Sequence, residues 1–180
     1  NELADLLNPD HLPRGIIQRY TLTVQRGYYY KETGIGYFSF LAVPGRMYRI
    51  TVNAMLRLTG ASTAAYIRAK VRHTGSIGAG WPGPLSVNDP ELGSALVPIN
   101  ALDSYRSGVA EFYWTYPNPD MGAEKPTRIL FTIDALSPDA GVQMVTGAEF
   151  IIEDVGLIPE GDFNWHMGGS DGGIPPGSEP

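Results

Sequence analysis

In RMYRITVNAMLRL, residues 46–58, the side chains change character at every step. Tyr48, Ile50, Val52, Ala54, Leu56 and Leu58 fall on one side; Met47, Arg49, Thr51, Asn53, Met55 and Arg57 fall on the other. A helix, repeating every 3.6 residues, would scatter these groups around its axis, whereas a strand sorts them. A run this long predicts a strand with one dry face and one wet face. Such a strand needs partners beside it and a second layer over its apolar side.

The same period returns along the chain. It places Phe38, Phe40 and Ala42 together in YFSFLAV, and Ile67, Ala69 and Val71 opposite Arg68, Lys70 and Arg72 in AAYIRAKVRH. In GVAEFYWTY it sets Ala110, Phe112, Trp114 and Tyr116 against Val109, Glu111, Tyr113 and Thr115. RILFTIDAL groups Ile129, Phe131, Ile133 and Ala135; GAEFIIEDVG groups Ala148, Phe150 and Ile152. RYTLTVQR puts Tyr20, Leu22 and Val24 on one face. SALVPI is expected at a sheet edge, because Pro98 cannot donate to a central ladder. Alternation therefore predicts about eight strands and no long helix. Glycine (22) and proline (15) supply the turns between them. The clearest turn is Val43-Pro44-Gly45-Arg46, with proline and glycine where a type II turn wants them. Uneven strand spacing and two long loops, TGSIGAGWPGPLSVNDPELG and YPNPDMGAEKP, favour an all-β, antiparallel two-sheet sandwich of jelly-roll type. An immunoglobulin-like sandwich is the alternative.

Three regions follow: an N-terminal arm (1–15), the sandwich (16–157) and a Gly/Pro-rich C-terminal arm (158–180). The last has little to bury against its ordering entropy, so a neighbouring chain is expected to hold it, with Phe163 and Trp165 in that interface. The first residue is Asn1, as expected of a processed product or a piece of a longer polypeptide.

Chemistry is sparse. The chain has no cysteine, which excludes disulfides, thiolate zinc sites and cysteine nucleophiles. A net charge of −6 argues against nucleic acid, and no apolar run reaches the ~20 residues of a membrane helix. His11, His73 and His166 lie in unrelated segments without metal spacing. Glu111, Asp134, Glu149, Glu153 and Asp154 offer carboxylates, but on strands these are usually the solvated face. Asn88, Asp89 and Glu91 suit a turn better than a calcium site. No enzyme activity, cofactor or metal is expected.

Two groups remain as binding candidates. Arg49, Arg57, Arg68, Lys70 and Arg72 point outward from two consecutive strands. If those strands adjoin, they form a cationic stripe, either a solubilising surface or an interface to acidic neighbours. Trp81, Tyr28, Tyr30 and Tyr113 are candidate platforms for a sugar ring. In GYYYKETGIGYFSF, a regular strand would put Tyr28 and Tyr30 on one face and Tyr29 on the other.

Three segments taken in order resemble a known group. They are YFSFLAVPGRMYRITVNAML, AAYIRAKVRHTGS and AEFIIEDVG. Through Pro44, Gly45, Arg46, Tyr48, Arg49 and Ile50, then Ile152, Glu153, Asp154 and Gly156, the chain resembles the carbohydrate-binding-module-like β-sandwich domains of minor tail proteins and tail-tip fibres of actinobacterial siphophages. The resemblance spans residues 16 to 157; the two arms depart from it. It implies a virion structural protein, extracellular, assembled with other tail proteins and with copies of itself as a homotrimer. It leaves open a role as an adhesin binding host cell-surface glycans.

Overall fold

A computed structural model describes residues 12–25, 27–60, 62–73, 81–99, 105–117 and 123–157. Most of both arms, with Phe163, Trp165, His11 and His166, lies outside the described residues. Every regular element described is a strand: β1 (Gly15–Thr21), β2 (Thr33–Ala42), β3 (Arg46–Thr59), β4 (Ala64–His73), β5 (Glu91–Pro98), β6 (Arg106–Thr115), β7 (Lys125–Ala135), β8 (Gly141–Met144) and β9 (Glu149–Leu157).

The strands form two antiparallel sheets. One runs β1-β9-β3-β6, with β8 pairing β3 at Leu56–Thr59 beyond the stretch that β9 covers; the other runs β2-β7-β4-β5. The pairs β4–β5, β3–β6, β2–β7 and β1–β9 nest inside one another, like a long hairpin rolled up. That nesting makes the sandwich a jelly roll rather than an immunoglobulin-like fold.

The alternation places the core as expected. All six inward residues of β3 are buried, and Ile67, Ala69, Ile129, Phe131, Ile133, Phe150 and Ile152 meet them from the other strands. Each such aliphatic or aromatic side chain contributes roughly 1.5–3 kcal/mol by leaving water. The Val43–Arg46 turn closes with Arg46 N–H donating to the Val43 carbonyl at 3.2 Å, and Gly45 takes the positive φ of 86° that the turn requires. β5 is an edge strand, with Pro98 at its end opposite Ala64.

Four expectations are corrected. First, β1 ends at Thr21, so only Leu22 of the Tyr20/Leu22/Val24 set is buried and Val24 is exposed. Second, β8 is an extra strand. Its four residues are buried on both faces, so they show no alternation. Third, the long loop is shorter than it reads: Glu91–Gly93 belongs to β5, where Glu91 lies opposite Lys70. Fourth, β3 and β4 follow each other in the chain but sit in different sheets. Arg49 and Arg57 therefore face the opposite side of the molecule from Arg68, Lys70 and Arg72, and no five-residue cationic stripe exists.

The residues that carried the family resemblance hold the ends of β3 and β9 together. Arg46 and Asp154 are both buried and form an ion pair at 3.0 Å, and Asp154 also accepts the Gly156 N–H at 2.9 Å. One step along, Arg49 binds Glu153 on the outer face. The Tyr48 hydroxyl accepts the Val43 N–H at 2.7 Å. This set of residues stabilises the fold.

Candidate functional site

The two flanks of the sandwich differ. On the β5/β6 side the sheets meet backbone to side chain. A Cβ on Gly93 would stand 2.3 Å from the Phe112 ring, and one on Gly108 would stand 2.8 Å from Val97. Two glycines thus let that flank close. On the other flank the sheet edges β1 and β2 stay apart, and a groove of about 480 Å³ opens between them.

This groove is aromatic. Phe38, Phe131 and Phe150 form its floor, with Phe38 edge-on to Phe131 at 5.7 Å and Phe131 at 4.9 Å from Phe150. Tyr20 of β1 and Tyr37 of β2 stand at its rim, 48% and 58% exposed. Tyr20 was expected in the core. It points inward, but from an edge strand, so its ring packs against Phe150 at 6.3 Å and meets solvent on its other side. Gln18 and Arg19 add polar groups. The Gln18 amide reaches across to donate to the Ser39 carbonyl at 2.6 Å, tying the two edges together.

Tyr37 also belongs to the outer face of the second sheet. Arg128 of β7 lies there between Tyr37 and Trp81, its guanidinium carbon 5.7 Å and 5.8 Å from the two ring centres. Trp81, set in a loop between Gly80 and Pro82, is 48% exposed. Further along the same face the charges are matched. Arg68 binds Glu91 and Asp134, Lys70 binds Glu32 and Glu91, and Arg72 binds Asp89.

The other aromatic candidates do not join Trp81. Tyr113 is exposed on the outer face of the first sheet, its hydroxyl donating to Glu111. The three consecutive tyrosines are not a continuous strand. Tyr29 makes an isolated bridge to Val142 and packs against the core, Tyr28 is half-buried and Tyr30 is exposed. Tyr30 borders a second depression with Lys31, Glu32, Asp134, Ala135, Leu136 and Pro138. Arg128 and Asp134 are six residues apart on β7, so the two places are separated by roughly 20 Å. Arg57 lies over the Tyr105 ring at 5.3 Å, far from the groove's lining residues.

The carboxylates are engaged. Asp134, Glu149, Glu153 and Asp154 each face an arginine of a neighbouring strand. Asp89 caps the Ser86 N–H at 2.9 Å besides holding Arg72, which is turn chemistry. Among the described residues no cluster of three or more His, Asp or Glu is arranged to hold a metal. His73 packs edge-on to Tyr116 at 4.8 Å.

Tyr20, Tyr37, Gln18 and Arg128 escaped the reading of the sequence as a site. Alternation does place Tyr37 and Arg128 outward, opposite to Phe38 and Ile129. That Gln18, Tyr20 and Tyr37 flank one groove depends on β1 and β2 being the two edges of one flank, and that Arg128 stands beside Tyr37 depends on β2 pairing β7; alternation encodes neither.

No family model matches the chain, and no curated protein does. Among solved structures it is similar to the CBM22-1 xylan-binding domain of Paenibacillus barcinonensis Xyn10C, at 10% identity and a TM-score of 0.36, over 79% of this chain and 96% of that one. It is also similar to a chain of the human norovirus GI.7 Houston strain virus-like particle, at 10% identity and a TM-score of 0.27, over 79% of this chain and 32% of that one.

Proposed function

We propose that this chain is a sugar-binding β-sandwich that serves as an attachment module. The groove at the β1/β2 flank carries the reading, and the structural likenesses above do not enter into it. Two exposed tyrosines stand over an aromatic floor, with an amide and a guanidinium beside them. Apolar ring faces receive the C–H faces of a sugar, while a few fixed polar groups orient its hydroxyls. Trp81, next to Arg128, extends the contact surface away from the groove.

The setting we infer is a phage tail tip or fibre, where the module contributes to tail assembly and to host attachment as a homotrimer. What supports this is the order of the three motifs, not the groove. An antibody against the chain should label the tail tips of purified virions, and sedimentation should return three times the chain mass. Absence from virions would end this part of the proposal and leave the sugar-binding reading intact.

Sugar binding is tested on a glycan array and on host envelope fractions with the wild type and with Tyr20→Ala, Tyr37→Ala and Trp81→Ala. Each substitution is expected to weaken binding by about tenfold without moving the melting temperature. No binding to any glycan or envelope fraction, or binding indifferent to all three substitutions, rejects the site.

A further inference from the structure

We propose that Arg128 makes this face selective for carboxylated sugars, an inference that rests on the sugar-binding reading above. The charge pattern of the second sheet supports it. Ladder register sets Arg72 directly opposite Arg128, so two guanidinium groups share one place on the face. Asp89 takes Arg72 through both Nε and Nη2, and the Pro84 carbonyl takes its Nη1 at 2.5 Å. That leaves the arginine pair one carboxylate short. The neighbouring cations Arg68 and Lys70 are already matched by Glu32, Glu91 and Asp134.

What surrounds Arg128 instead is aromatic. The Tyr37 and Trp81 rings hold the guanidinium by its charge but offer no acceptor to its N–H edge. Its Nε is shielded from water and meets no hydrogen-bond acceptor. A buried donor in that state is unfavourable, and an acceptor supplied by a ligand relieves it. A carboxylate fits best, because its two oxygens match the planar N–H fork of a guanidinium. Seating it at Nε requires the side chains that shield this atom to give way, and the neighbouring Trp81, 48% exposed, has room to move. The sugar carrying that carboxylate then lies across exposed aromatic rings, and Tyr37 links the place to the groove.

Calorimetric titration with trigalacturonate and with its methyl ester tests this, since esterification removes the charge and the paired acceptors of each carboxylate and adds only a methyl group. The acid form is expected to bind the wild type about tenfold tighter or more, the scale of one hydrogen bond to a charged group. The gap should shrink with added salt. Arg128→Gln should remove it, and Arg128→Lys should keep only part, because an ammonium retains the charge without the fork. Thermal melting of each variant checks that the fold is intact. Equal affinity for acid and ester, or a gap that survives Arg128→Gln, overturns the inference and leaves the sugar-binding reading standing. If neither oligomer binds, the selectivity proposal falls, and the glycan array decides separately whether sugar binding falls with it.

Discussion

Arg46 and Asp154 show how much one buried pair governs at the scale of the residue. Both charges have left water, and their mutual bonds with the Gly156 N–H and the Leu12 carbonyl replace the lost hydration. Arg46→Ala strands a carboxylate in the interior and is expected to cost about 3–5 kcal/mol in urea melts. Replacing both partners by apolar residues of similar size should cost much less. A second prediction concerns protons. Burial holds the Tyr48 and Tyr116 phenols above their ordinary pKa of 10.0, and at Tyr48 the Val43 N–H bond only partly offsets it. Below about pH 10 both folded and unfolded chains keep these protons, so stability does not change on their account. Above it the unfolded chain ionises while the folded one resists, so stability falls as pH rises until the folded values are passed. Alkaline unfolding, followed by circular dichroism, should set in above about pH 10 and be displaced upward in Tyr116→Phe.

At the scale of the element, the strands at the two flanks are held by opposite means. β5 approaches β6 only because Gly93 and Gly108 carry no side chain there. Gly93→Ala is expected to cost about 1–3 kcal/mol in thermal or urea melts, as an overpacked core does. Gly36, in the wall of the groove, has open space where a Cβ would go, and Gly36→Ala should change stability by no more than about 0.5 kcal/mol. Most of the strands were legible because their sequence alternates between an apolar and a polar side, a contrast that β3 displays over its whole length. β8 was not, since burial on both faces erases the contrast. The site was illegible for another reason. Tyr20 reads as a core residue by period, and only its place on an edge strand exposes it. Likewise, the basic residues of β3 and β4 read as one stripe until the roll puts the two strands in different sheets.

The described molecule is a rolled hairpin whose strands run from Gly15 to Leu157, and the buried core among the described residues runs from Leu22 to Ile152. Removing residues 158–180 is therefore expected to leave the far-ultraviolet spectrum and the melting temperature of the sandwich unchanged. A truncated chain that fails to fold would place part of that segment in the core. Fold class follows from strand count and loop lengths, but strand order does not, and which flank closes and which opens is decided by two glycines and a phenylalanine that alternation does not single out. That asymmetry has a consequence for how such a molecule can change. The fastened flank carries the cohesion, so positions 19, 20 and 37 at the open rim can be altered with little effect on folding. On the sugar-binding reading proposed above, a library randomised at these three positions should yield mostly folded members that differ in the sugars they bind. The same separation would let a lineage change what the rim meets without rebuilding its scaffold.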